Sequence, residues 1–353
     1  MVGVTFIKNM IKLSFKPKQV SKKLISALND RAKDVLTKRY GLSDKTAEKM
    51  TLEAIGTEYG ITRERVRQIE EHALAGIRKS DVYKEAEKSL SELKDAMHKH
   101  GNVVSETQFL DEVAPTEEIR NHVHFLLVVG HAFFKKKEDE HFAHRWYLDE
   151  KMVEKIEGSI KKLYASLSDE DIVPEAEMIT KFLNHLEDVN EEYKNNEFVK
   201  RWLSISKKIS SNPLGEWGKS SSSNINVKGI RDYAYLVIRR HGSPIHFKEV
   251  AALIQKLFDK KAHVATCHNE LIKDPRFVLV GRGLYALAEW GYSSGVVRDV
   301  IRAIIKKNGP MTKKEIIDSV LKERYVKENT IMVNLQNTKH FKKDSASKYA
   351  VVE

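Results

Sequence analysis

The residues whose types and spacing could do chemistry lie between Thr51 and Arg78, in TLEAIGTEYGITRERVRQIEEHALAGIR. Thr62 is a natural helix N-cap. With a helix started there, Arg63, Glu64, Arg67 and Gln68 share one face, and Val66, Ile69, Ala73 and Ile77 another. Arginine can donate two bonds to guanine, glutamine pairs with adenine, and glutamate accepts from the cytosine amino group. The chemistry on offer is the reading of base edges by the first turns of a recognition helix. Thr62, Arg65, His72 and Arg78 are expected at phosphates, aided by the positive field of the helix N-terminus.

Other elements must hold that helix in place. Leu24, Leu28, Val35 and Leu36 give residues 24–40 helical spacing, and Gly41 is a natural stop. A polar connection at Asp44 and Lys45 leads to a short helix from Leu52 to Tyr59, with Leu52, Ile55 and Tyr59 turned to the same core. Gly60 breaks it, and the next helix runs to Lys79.

This segment closely resembles region four of primary bacterial sigma factors, in TLEAIG, the Tyr-Gly-Ile turn, TRERVRQIE and AL..IR, with RAKDVLTKRYGL similar to the preceding helix pair. The resemblance covers residues 25–79. It implies that Arg63, Glu64, Arg67 and Gln68 read a −35-type promoter element in double-stranded DNA. It also implies RNA polymerase core as a partner, through the flap of the beta subunit. The family's polymerase-gripping and −10-melting regions have no counterpart in the roughly 25 residues upstream. The expectation is a promoter-reading domain set on a different protein.

The formal net charge is +11, unevenly spread: about +8 over residues 1–80, about −8 over 81–225 and about +11 over 226–353. Both ends suit phosphate, and the middle suits a spacer or protein contact. Cys267 is the only cysteine, which excludes an intrachain disulfide and points to a reducing compartment. No apolar run is long enough to span a membrane. MVGVTFIKNMIKLSF reads as an amphipathic first helix rather than a signal peptide. The expected location is the cytoplasm, at a bacterial nucleoid.

From residue 81 a plan repeats: a first helix, a turn, two more helices, then a strand pair rich in aromatics. RDYAYLVIRRHGSPIHFKEVAALI and RDVIRAIIKKNGPMTKKEIIDSV are the clear copies, closed by RFVLVGRGLYALAEW and HFKKDSASKYAVV. Weaker copies start at EKSLSELKDAMHKHGNVVSETQFLDEV, closed by FFKKKEDEHFAHRWYL, and over 150–219, before a serine run at 220–223. The fold class is mainly α: a helix-turn-helix domain followed by three or four tandem winged-helix units of three helices plus a β-hairpin. The expected boundaries are 1–80, 81–149, 150–223, 226–292 and 293–353.

Residues 228–292 resemble the HARE-type winged helix, on Arg276-Phe277 through Gly283-Leu284-Tyr285-Ala286-Leu287, and 294–353 look like a diverged second member. That family includes the N-terminal domain of the delta subunit of bacterial RNA polymerase. The resemblance implies contact with nucleic acid or the transcription apparatus. Phe277, Val278, Val280, Tyr285, Leu287 and Trp290 read as wing and core packing. Arg239, Arg240, Lys260, Lys261, Arg282, Lys306, Lys307, Lys313, Lys314, Lys342 and Lys343 could form a second, phosphate-tracking surface.

Other chemistry finds no motif. His122, His124, His131, His141 and His144 lack a CxxC or HExxH companion. Cys267-His268 reads as a buried thiol, Glu138-Asp139-Glu140 as a wing tip, and the GRG at 281–283 as a turn. No enzyme, metal, cofactor, small-molecule substrate or membrane partner is expected. The leading reading is a sigma-like DNA-binding transcription protein that also contacts polymerase. Two alternatives stand beside it: a delta-like polymerase-binding regulator with little direct DNA readout, and a DNA-targeting module of a nuclease or modification system.

Overall fold

The computed structural model describes residues 11–187, 189–292 and 296–352. The amphipathic helix expected over the first fifteen residues lies outside them up to residue 10, and 11–15 are irregular. Two compact units divide the chain after Ile225.

The first unit opens with α1 (Pro17–Ile25), α2 (Asp30–Tyr40), α3 (Leu52–Tyr59) and α4 (Arg63–Lys79). Residues 24–40 are therefore not one helix. Asn29 starts α2 afresh, its side chain accepting from the Ala32 amide at 2.9 Å. Leu24, Leu28 and Leu36 enter one core on both sides of the break, so apolar spacing alone could not reveal it.

Next come α5 (Asp81–His98), β1 (Val103–Ser105), α6 (Glu106–Val113), α7 (Glu117–Val129), β2 (Phe134–Lys136) and β3 (Arg145–Tyr147). They form an antiparallel sheet in the order β1-β3-β2. The same path repeats in α8 (Glu150–Ser166), α9 (Glu175–Leu183), α10 (Asn196–Leu203), β4 (Ile209–Ser211) and β5 (Trp217–Lys219). Here the first strand shrinks to a single bridge, Val173 to Trp217.

The second unit holds two further copies. One is α11 (Ile230–His241), β6 (Ile245–His246), α12 (Phe247–Phe258), α13 (Val264–Lys273), β7 (Phe277–Gly281) and β8 (Leu284–Leu287). The other is α14 (Val297–Asn308), β9 (Met311–Thr312), α15 (Lys313–Glu323), α16 (Glu328–Leu335), β10 (Phe341–Lys343) and β11 (Lys348–Val351). Their sheets run β6-β8-β7 and β10-β11-β9. Each copy has the winged-helix path, with the last strand of the hairpin in the middle of its sheet. The fold is mainly α, as the sequence repeats led us to expect. In the third copy Phe277, Val278, Val280, Tyr285 and Leu287 are buried, as packing residues should be. Tyr325 of the fourth copy extends it: its amide donates to the Val280 carbonyl at 3.0 Å. A Cβ on Gly281 would stand 2.8 Å from the Tyr325 carbonyl oxygen, so only glycine admits this approach.

Residue 80 divides motifs in the sequence but not cores in space. Leu24, Leu36 and Ile77 share one hydrophobic core with Leu93, Phe109, Phe125 and Trp146. The β1-β3 pair is buried on both faces. Val104 and Trp146 enter this first core, while Val103 and Tyr147 enter a second with Ile156, Trp202 and Trp217. Strand side chains alternate between faces, so one short sheet can join two cores.

Candidate nucleic-acid interface

Both helices of the turn are capped. Thr51 accepts from the Ala54 amide at 3.1 Å and Thr62 from the Arg65 amide at 3.2 Å. Gly60 ends α3 at φ +65°, and the Ile61 amide returns to the Gly56 carbonyl at 2.9 Å. A small core of Val35, Ile55 and Val66, all fully buried, fixes α4 against α2 and α3. Tyr59 donates to Asp34, and Lys38 pairs with Asp34 at 2.8 Å and with Glu58. Tyr40 donates to Glu70 at 2.7 Å. Burial and the Glu70 charge push the Tyr40 phenol far above its ordinary value, so it stays a donor.

The outer face of α4 is open. Thr62, Arg63, Glu64, Arg65, Arg67 and His72 are exposed, and Gln68 is half-exposed. At 3.6 residues per turn they follow one another around the helix in the order Arg63, Arg67, Glu64, Gln68, His72, Arg65. Thr62 itself is spent as the cap. Arg67 is clamped within the helix, by Glu64 at 2.6 and 2.9 Å and by Glu71. The hydrogen bonds from Arg67 hold the Glu64 carboxyl below its ordinary value. Arg65 donates to Gln68 Oε1 at 3.0 Å, and His72 Nδ1 lies 2.8 Å from the Gln68 carbonyl oxygen. Arg63, Arg67, Glu64, Gln68, His72 and Arg65 thus form one contiguous arc, with Arg67 and Glu64 already paired along it.

Arg78 is placed elsewhere. Its guanidinium donates to the Val128 and Val129 carbonyls at 2.7 and 2.9 Å, closing the end of α7. Sequence reasoning passed over Asn29 and Arg31. They line a groove of about 470 Å³ between the α1–α2 turn and α4, opposite Arg65, Gln68 and His72. The Asn29-Asp30 capping pair was the available signal.

The histidines of α7 are packing groups. His122 Nδ1 meets Ser21 Oγ of α1 at 2.6 Å, and His124 lies between the Tyr40 and Trp146 rings, 5.9 Å from each. No three His, Cys, Asp or Glu side chains converge among the described residues. The Glu138-Asp139-Glu140 wing tip docks on the following repeat: Glu138 pairs with Lys207 at 2.6 Å and Glu140 with Lys208 at 3.2 Å. The Cys267 thiol is buried and pushed up to about 11 by that burial. Among the described residues no helix is long and apolar enough to cross a membrane.

In the second unit Arg239 and Arg240 end α11, and Arg282 sits at the tip of the β7–β8 hairpin. Lys261 is exposed between α12 and α13, while Lys260 lies over the Tyr233 ring at 4.6 Å. Lys313 and Lys314 form the exposed first turn of α15.

Comparison with known proteins places the helix-turn-helix. Residues 24–79 match the family model for sigma-70, region 4. The RNA polymerase principal sigma factor HrdD of Streptomyces griseus is 43% identical over 56 residues, 16% of each chain. The RNA polymerase sigma factor SigA of a Nostoc species is 48% identical over 56 residues, 16% of this chain and 14% of the relative. The RNA polymerase sigma factor RpoD of Helicobacter pylori is 47% identical over 55 residues, 16% of this chain and 8% of the relative. The chain thus spans a sixth or less of these relatives. Residues 24–79 are a sigma-70 region 4 domain.

Proposed function

We propose that this protein is a sequence-specific DNA-binding transcription protein that reads a −35-type promoter element in duplex DNA and contacts RNA polymerase, without catalytic chemistry of its own. The carrying observation is the exposed arc Arg63–Arg67–Glu64–Gln68 on a capped, rigidly packed α4 inside a region that matches sigma-70 region 4. Base-reading side chains stand at the helix N-terminus, where a helix enters the major groove. The work belongs in the cytoplasm, at a bacterial nucleoid.

The helix-turn-helix does not stand alone. Its apolar back, made by α1 and α4, is filled from within by α5 and α7. A polymerase contact, at the beta-subunit flap or elsewhere, would therefore use the surface left outside this core or the second unit.

The direct test is enrichment of duplexes from a random-sequence pool by the full chain, with a parallel pull-down of core RNA polymerase. The reading expects one recurrent sequence and retention of polymerase. Polymerase retention without an enriched sequence would favour the delta-like regulator. An enriched sequence without polymerase would leave a free-standing DNA-binding protein.

A further inference from the structure

Residues 1–225 sum to about zero formal charge, so the chain's +11 is carried by residues 226–353. The helix α4 belongs to a unit in which the positive charge of residues 1–80 is offset by the negative charge of residues 81–225. In that unit lysines are paired with carboxylates: Lys18 with Asp44 and Glu118, Lys135 with Glu106, Lys207 with Glu138. In the second unit arginines hold the ion pairs, Arg276 with Asp232 and Asp274, and Arg298 with Asp299. Among its described residues Lys306, Lys307, Lys313, Lys314, Lys342 and Lys343 are exposed and paired with no carboxylate.

The last repeat carries about +6 of this charge and the one before it about +5. Its sheet register sets Lys343 opposite Tyr349 and Lys348 opposite Thr312, directly before Lys313 and Lys314. Lys313, Lys314, Lys343 and Tyr349 line an open cleft of about 510 Å³ between the start of α15 and the β10–β11 hairpin. Two carboxylates, Asp318 and Glu328, also line it and leave a positive excess. Lys342 and Lys348 extend that excess along the hairpin.

The third helices differ in the same sense. In the first unit α7 buries seven side chains, and α10 seats Trp202 on the Gly101 carbonyl and Arg201 on Glu112. Both are consumed by neighbouring modules. In the second unit α16 buries only Ile331 and Leu335, and α13 only Cys267 and Leu271. These faces are open.

We infer that the last winged-helix repeat grips the backbone of duplex DNA through its lysine cleft and supplies sequence-independent affinity, while α4 supplies sequence preference. Only the second clause rests on the function proposed above. Phosphate contacts position a protein without reading sequence, and their number sets the salt dependence of binding.

The test uses the full chain and the triple variant Lys313→Gln, Lys314→Gln, Lys343→Gln. Affinity is read by fluorescence anisotropy between 50 and 200 mM salt, on a duplex enriched by the chain and on a scrambled one. The expected result is an equal loss on both, about tenfold or more, with a salt slope lower by about 0.9 for each phosphate contact removed. The triple Lys→Arg variant keeps the slope, and an unchanged melting temperature shows that the glutamine variant is folded. An unchanged slope, a loss confined to the enriched duplex, or a loss seen on RNA but not on DNA would overturn the inference. If no sequence is enriched, the scrambled duplex alone still reads the slope, so the two readings fail separately.

Discussion

His122 Nδ1 lies 2.6 Å from Ser21 Oγ, and both side chains are fully buried. The contact joins α1 of the helix-turn-helix to α7, the third helix of the first winged repeat. Asn121, the neighbouring residue of α7, donates to the Ala47 carbonyl at 2.7 Å and the Gly41 carbonyl at 3.2 Å. The sigma-type domain is thereby built into a larger core.

That core should weaken in acid. Burial holds the His122 and His124 imidazoles below the ordinary histidine value of 6.5. Glu118, Lys18, Lys22 and Asp44 face the first; Glu106, Lys135, Lys49 and Arg39 face the second. The unfolded chain takes up these protons near pH 6.5, while the folded chain resists until lower pH. Stability is therefore complete above about pH 6.5 and is lost as the pH falls below it. Urea midpoints at pH 7.5 and 5.5 should differ, and His124→Phe should reduce the difference. A pH-independent midpoint would contradict this.

Two glycines of one turn should respond unequally. Gly60 has φ +65° and open space where a Cβ would stand, so Gly60→Ala costs only left-handed strain, about 1–2 kcal/mol. A Cβ on Gly56 would stand 2.6 Å from the Ile61 carbonyl oxygen, inside the turn itself. Gly56→Ala should cost about 3 kcal/mol through overpacking. Equal denaturation midpoints for the two variants would contradict the packing described.

Arg78→Ala should act on stability. It removes two charge-assisted bonds to the Val128 and Val129 carbonyls, a cost of about 1.5–3 kcal/mol. Arg78→Lys should recover only part, because the ammonium lacks the two-pronged fork. The salt slope of DNA binding should not move. A lower slope at unchanged stability would return Arg78 to the phosphates.

Glu71→Gln should tighten binding to any duplex, by about two- to fivefold at low salt. It removes a negative charge from the face proposed to meet DNA and releases one side of the Arg67 clamp. Weaker binding, read by anisotropy, would show that Glu71 positions Arg67 productively.

The helix-turn-helix and the exposed face of α4 were legible because cap, turn and the charged residues of that face lie within one short segment. The repeats were legible as well, since three of the four copies carry a turn glycine after the first helix, at Gly101, Gly242 and Gly309, and all four end in a hairpin with aromatics. What the sequence concealed were contacts between elements far apart in the chain. α7 is mostly apolar along NHVHFLLVV and buried almost all round, because it is covered on several sides. That pattern shows burial but does not name the covering element, α1. Arg78 looked like the other arginines of α4 until α7 ended beside it. The break at Asn29 was hidden because both flanking helices feed one core.

The most direct measurement compares the full chain with Arg67→Ala on an enriched duplex and a scrambled one, at a single salt concentration. Arg67 is exposed and, among the described residues, held only by Glu64 and Glu71 of its own helix, so its loss leaves the core intact. The account predicts that the preference for the enriched duplex falls about tenfold to a hundredfold, while affinity for the scrambled duplex changes little. An unchanged preference would contradict a reading role for α4.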